Sequence, residues 1–206
     1  MKSLILNVIF LLSLAGLASL SACAKSSTTK PAITSPVATV QTAAESAVAS
    51  IVETSIGKVM VLDFPLSDLT DLPNPPEELA RIAHFNDAFK QKLANDGVQI
   101  MPVNVKIKAI AAAQSATYLF DHTDIAASLA EGSGADYIII GVAMKPTYLF
   151  VYPRMLLVDI KTKRKAFTAY VQMEGSWLDK EHTASSAKNL AGKVTAELKQ
   201  LNVPTK

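Results

Sequence analysis

Cys23 has the plainest chemistry in the chain, because it is the only cysteine in 206 residues and it closes the string Leu20-Ser21-Ala22-Cys23. Ahead of it lie Met1-Lys2 and an apolar run from Leu4 to Leu20. A basic start, a short apolar core and small residues before a cut address a chain to the export machinery. The run is also short for a membrane span, which needs about 20 apolar residues. A thiol after leucine and two small residues stands where bacterial lipoproteins accept a diacylglycerol. The spacing therefore predicts a signal peptide over 1–22, cleavage between Ala22 and Cys23, and acyl groups such as palmitate on Cys23. Buried acyl chains contribute about 0.8 kcal/mol per methylene, so one chain holds marginally and two or more hold firmly. Ala24 and Lys25 follow in place of the aspartate that commonly retains lipoproteins in the inner membrane. The expected location is the bacterial envelope, anchored in the outer membrane and facing the periplasm. No second cysteine is present to form an intramolecular disulfide, so the folded part must rest on its hydrophobic core.

The remaining chemistry-bearing residues are sparse. The three histidines, His84, His122 and His182, lie far apart, and none forms a pair at helical spacing that would put two metal ligands on one face. Asp121-His122-Thr123-Asp124 is the best cluster, since imidazole and carboxylates suit divalent metals. Its plainer reading is a helix cap with a solvated histidine. Asp63 ends an apolar run, where α/β sheets often present functional groups, although a carboxylate before Pro65 also caps a loop entry. Tyr148, Phe150 and Tyr152 alternate along Thr147-Tyr148-Leu149-Phe150-Val151-Tyr152 and would share one face of a strand. Such a stripe either packs beneath a helix or forms a recognition face, because aromatics with polar tips are common at interfaces. The basic run Lys161 to Lys165 reads as a solvated hairpin tip, with contact to anionic lipid or an acidic partner as the sharper alternative. No Gly-rich phosphate loop follows the first strand and no Gly-x-Ser-x-Gly elbow occurs, so nucleotide and hydrolase chemistry lack their parts. The formal net charge is +2, without the basic stripe that a nucleic-acid surface needs. A non-enzymatic protein without a cofactor, and without nucleic acid as a partner, is expected.

These residues need elements to position them. From Ala24 to about Ser55 the chain is rich in Ser, Thr, Ala and Pro and carries no aromatic residue, which predicts a flexible tether over 23–56. Roughly 30 such residues span on the order of 30 Å end to end. One α/β domain over 57–201 follows, with a tail over 202–206; its length suits a single core. Lys58 to Phe64 is apolar throughout and reads as a central strand. Leu66 to Pro76, with three prolines, reads as a loop outside the sheet. Pro76 and Glu77-Glu78 open a helix carrying Leu79, Ile82, Ala83, Phe85, Phe89 and Leu93 at helical spacing, and Gly97 ends it. Val98 to Val103 is a second strand. Lys106 to Ala116 is alanine-rich and helical, and Asp121 to Glu131 is a helix with Asp121 or Thr123 as cap and Ile125, Leu129 and Ala130 inward. Ala135 to Met144 is a third strand. Thr147 to Ile160 and Ala166 to Glu174 form a hairpin, and Trp177-Leu178 lead into a last helix with Leu190, Val194, Leu198 and Leu201 as its stripe. The order strand, helix, strand, helix, strand, strand, strand, helix gives a mixed sheet in two or three layers.

Val61-Leu62-Asp63-Phe64, the Pro-rich loop and helix, the turn at Gly97, Gly134-Ala135-Asp136 before an apolar strand, and Val158-Asp159-Ile160 together resemble an uncharacterised family of exported bacterial proteins. Some of its members accompany periplasmic quinoprotein dehydrogenases. The order of elements is also similar to the amino-terminal domain of TolB and the periplasmic domain of the curli secretion lipoprotein CsgG. The resemblance spans Gly57 to Leu201. Family members often carry a cysteine pair where this chain reads Tyr118-Leu119-Phe120-Asp121-His122, so a disulfide or metal role does not transfer. TolB-like domains bind protein partners, whereas CsgG is a pore, and no long amphipathic insertion that could build a barrel is apparent here. The resemblance implies an accessory or assembly factor that binds another envelope protein. The alternative is a small-ligand or metal-binding protein serving a periplasmic oxidoreductase, with Asp121, His122 and Asp124 nearest the site.

Overall fold

The computed structural model describes residues 56–70, 73–174 and 179–202. The signal peptide, Cys23, nearly all of the expected tether, and Trp177 and Leu178 lie outside the described residues. In chain order the elements are β1 (Lys58–Val61), β2 (Leu66–Asp68), α1 (Pro76–Asn95), β3 (Gln99–Met101), α2 (Val105–Ala113), α3 (Tyr118–Asp121), α4 (Thr123–Ala130), β4 (Tyr137–Lys145), β5 (Tyr152–Asp159), β6 (Lys165–Tyr170) and α5 (Lys180–Leu201). No helix among the described residues is long and apolar enough to cross a membrane.

The sheet is mixed, in the order β3-β1-β4-β5-β6, with β2 pairing β4 beyond the end of β1. β1 runs parallel to both neighbours, and β4, β5 and β6 form an antiparallel meander. One face carries Val59, Val61, Ile139, Met155 and Leu157 against Phe85, Phe89 and Leu93 of α1 and Leu190, Val194 and Leu198 of α5. The other carries Met60, Ile138, Ile140, Leu156 and Val158 against Ile107 of α2, Leu119 of α3 and Ala126, Ala127 and Ala130 of α4. The architecture is therefore α/β in three layers. Apolar runs without alternation in β1 and β4 follow from burial on both sides.

Several expectations need correction. Leu66–Asp68 does join the sheet, parallel to Ala143–Lys145, because Leu66 has core to pack against and Pro65, which has no amide to donate, still accepts a bond from the Ala143 amide (2.9 Å). The first strand stops at Val61 rather than Phe64. Leu62, Asp63, Phe64 and Pro65 then bulge opposite Ile140, Gly141 and Val142. The inward side of α1 begins with Glu78 and Arg81, while Leu79 and Ala83 are exposed. The Asp121–Glu131 helix is two pieces. His122 occupies the cap position of α4 without a side-chain cap bond, and Ile125 and Leu129 are only half-buried. Thr147 to Val151 precede β5 rather than belonging to it, although Val151 bridges to Met173.

Candidate interaction site

The end of β4 is fixed by a buried charge. Strand alternation turns Lys145 toward α1, where its side chain is 2% exposed. There Nζ lies 3.0 Å from Asp68 Oδ2, 2.6 Å from Glu78 Oε2 and 3.4 Å from Asn74 Oδ1. A buried ammonium persists only if paired, and the carboxylates come from β2 and the first turn of α1. Burial disfavours the charged form of Lys145, but its bonds to Glu78 and Asp68 outweigh burial and hold its pKa above the ordinary lysine value. Burial likewise opposes ionisation of Asp68, yet bonds from the Thr70 hydroxyl and amide and from Lys145 keep its carboxyl below the usual range. Glu78 is fully buried, and there burial prevails over Lys145 and raises its pKa. Beside it Arg81 donates through Nε to Thr183 Oγ1 (3.0 Å) and through Nη2 to the Glu174 carbonyl (2.9 Å), tying α1 to α5 and to the segment after β6.

A second device holds the bulge between β1 and β2. Phe64 N–H donates to Asn86 Oδ1 (2.9 Å), and Asn86 Nδ2 donates back to Phe64 O (3.3 Å). The Phe64 ring packs edge-on to Phe85 and Phe89. It also lies where a Cβ on Gly141 would sit, at 2.4 Å. The sheet end at β2, β4 and β5 is thus anchored on the α1 side.

On its opposite side that same end has no helix over it among the described residues. Met144 pairs with Tyr152, Val142 with Arg154, and Arg154 with Tyr170. Pairing aligns Met144, Tyr152, Arg154 and Tyr170 on one side, where with Pro146 they line a shallow recess of about 320 Å³. Arg154 Nη1 lies 3.6 Å from Met144 Sδ. Tyr170 is 61% exposed. The adjoining segment before β5 presents Tyr148 and Leu149, 54% and 71% exposed, and the Phe150 and Tyr152 rings stand 6.3 Å apart. The aromatic stripe is not packed beneath a helix. Tyr148 and Phe150 lie on a loop leading into the strand that carries Tyr152.

The other sequence-selected residues are dispersed. Asp121, His122 and Asp124 are exposed. His122 stacks on Tyr118 at 4.5 Å, with Nδ1 2.9 Å from the Tyr118 carbonyl. Among the described residues no three His, Cys, Asp or Glu side chains assemble a metal-holding group. Asp63 pairs with Lys90, and Lys163 with Glu131 at 2.9 Å. A second recess, about 340 Å³, opens outside the carboxyl ends of β1 and β3. Leu62, Val103, Ile107, Leu119, Phe120 and Ile140 make it apolar, with Asp63 and Lys108 among its polar lining. The crossover from β1 goes to one face and that from β3 to the other, the place where open α/β sheets leave a crevice.

Sequence reasoning missed Lys145, Asp68, Glu78 and Asn86. Lysine closing a nine-residue apolar strand was a usable signal, since such a cation demands carboxylates. Met144, Arg154 and Tyr170 were also missed, because the face they share exists only once β4, β5 and β6 are in register.

A family model described as "Protein of unknown function (DUF2380)" matches residues 57–185. No curated protein matches the chain. Among solved structures, the LpoB C-terminal domain from Salmonella enterica is similar over 59% of this chain and 84% of that one, at 14% identity and a TM-score of 0.41. The PelC dodecamer from Paraburkholderia phytofirmans is similar over 70% and 89%, at 18% identity and a TM-score of 0.41. Lipoprotein GNA1162 from Neisseria meningitidis is similar over 72% and 99%, at 15% identity and a TM-score of 0.41.

Proposed function

The chain belongs to the DUF3280 family, and on that premise we propose that it is a lipid-anchored, non-enzymatic accessory or assembly factor that binds another protein of the bacterial envelope. The observation that carries this reading is the sheet end lined by Met144, Pro146, Tyr152, Arg154 and Tyr170, over which no helix lies among the described residues, with Tyr148 and Leu149 beside it. Contiguous exposed apolar surface on a folded domain marks an interaction site, and Tyr, Arg and Met are enriched in such sites. The Lys145 clamp supports the reading, because it fixes the backbone from which the face projects. The lipobox at Cys23 supplies the anchor, and Ala24 after it favours the outer membrane. The phrase Val61-Leu62-Asp63-Phe64, which resembles the opening of TolB-like domains, is consistent with protein binding. The test is recovery of the full chain from detergent-solubilised native envelopes, with mass spectrometry of Cys23 and of whatever copurifies. Acylated Cys23 and one stoichiometric partner are expected; an unmodified protein recovered alone would overturn both parts.

The apolar crevice outside β1 and β3 favours a second reading, a small apolar ligand carried for a periplasmic oxidoreductase. Displacement of a fluorescent apolar probe would support it, and a Leu62→Trp variant with unchanged probe binding would remove it. The metal version predicts that His122→Ala weakens metal binding in a titration; equal binding by the variant excludes Asp121, His122 and Asp124 as the site.

A further inference from the structure

Among the described residues β6 is the last strand of the sheet, and its outer edge opens into a groove of about 630 Å³ beside α5. Val171 N–H donates to Pro153 O (3.1 Å), and Val151 and Met173 exchange both of their backbone bonds (3.1 and 2.8 Å). Odd-numbered residues at this end of the strand therefore face β5. By antiparallel alternation the amides and carbonyls of Thr168, Tyr170 and Gln172 turn outward. The Tyr170 carbonyl follows this rule, since it accepts a bond from Lys193 Nζ across the groove at 3.2 Å. The side chains of Phe167, Ala169 and Val171 form one wall, and Ser186, Asn189 and Lys193, at four-residue spacing or close to it on α5, form the other. Short polar side chains leave the groove open. Among the described residues Lys193 is the only cation that lines it, and the bond it makes there is to a neutral carbonyl.

We infer that this groove takes an extended, acidic segment of a partner protein as an added strand along β6. Three observations carry the choice of occupant. Outward backbone groups at alternate residues are the template for a new strand. The span from Thr168 to Gln172, five residues at roughly 3.3 Å each, fits a short extended peptide of about 17 Å. The Lys193 ammonium offers charge to a carboxylate and is already positioned over the strand edge. This rests on the reading of the chain as a partner-binding protein and adds the form of the partner segment, at a strand edge that adjoins the aromatic face through Tyr170.

The experiment uses the purified full chain and a displayed library of random heptapeptides, followed by synthetic copies of the enriched sequences. Enriched peptides are expected to alternate β-branched or apolar residues with one Asp or Glu. They should slow amide exchange at Thr168, Tyr170 and Gln172 at least tenfold. Thr168→Pro removes an outward amide that takes no part in the β5 ladder, and Asn189→Trp fills the groove; each should lower affinity at least tenfold, while Lys193→Glu shifts preference to basic peptides. Should either fill or edge variant fail to fold, the backbone N-methylated peptide against the unaltered chain decides, with a tenfold loss expected. No enrichment, protection confined to other residues, or an N-methylated peptide that binds equally would overturn the inference. Exchange protection that appears with concentration and without peptide would show a second copy in the groove and overturn it too. Because the peptides test only β6 and α5, their failure leaves recovery of an envelope partner standing as a separate result.

Discussion

Gly141 interrupts the apolar run of β4 because Phe64 occupies the space its side chain would need, with ring atoms 2.4 to 2.5 Å from the missing Cβ. Gly141→Ala should therefore force the ring from its seat between Phe85 and Phe89, at a cost of about 1–3 kcal/mol for overpacking. Urea unfolding checks this, and an unchanged midpoint would show that the bulge relaxes freely. The buried ions make a second residue-scale prediction. Lys145→Met leaves Asp68 and Glu78 facing each other without their cation and should destabilise by about 3–5 kcal/mol. The two carboxylates respond oppositely to pH. The contribution of Asp68 is complete above the ordinary value of 3.8 and is lost as pH falls through its lower folded value. For Glu78 the folded value lies above 4.5, so its favourable protonation is complete below 4.5 and is lost as pH rises through the folded value. Glu78→Gln mimics the protonated form, so its stability relative to the unaltered chain should grow with pH across that window. A difference that is flat between pH 4 and 8 would contradict the assignment. None of this cluster was legible as a cluster: Asp68 and Lys145 are distant in sequence, and only parallel pairing of β2 with β4 brings them together.

Elements were read most easily where periodicity and caps agreed. Pro76, the acidic first turn and Gly97 delimit α1 as expected, and Gly97 adopts φ +88° where its N–H bonds back to Ala94. β2 was hidden because its three residues sit between prolines and its partner strand is remote. The start of β5 was misplaced because aromatic alternation in Thr147 to Tyr152 imitates a strand, while among the described residues no neighbour pairs Tyr148 to Phe150. α2 was legible as a helix from its alanine content but its exposure was not: only Ile107 is buried, and Val105 is 82% exposed. A helix with so little burial opens at low free energy. Its amides should exchange at least tenfold faster than those of α1 and α5 in hydrogen exchange followed by mass spectrometry. Equal protection of the three helices would mean that contacts outside the described surface hold α2.

At the scale of the molecule, three layers explain where recognition is placed. α1 and α5 pack on one face of the sheet, whereas α2, α3 and α4 pack on the part of the other that holds Met60, Ile138, Ile140, Leu156 and Val158. The remainder keeps Tyr152, Arg154 and Tyr170 at the surface. Sequence alone indicated the α/β class and drew attention to Tyr148, Phe150 and Tyr152. It did not reveal which face would be uncovered, since that depends on the path of the β3 to β4 connection. The most direct measurement is recovery of the partner from native envelopes by Tyr152→Ser/Tyr170→Ser, with the thermal midpoint and Cys23 modification measured on the same preparation. The account predicts a folded, equally acylated protein that recovers at least tenfold less partner. Undiminished recovery by the folded variant would contradict the assignment of this face.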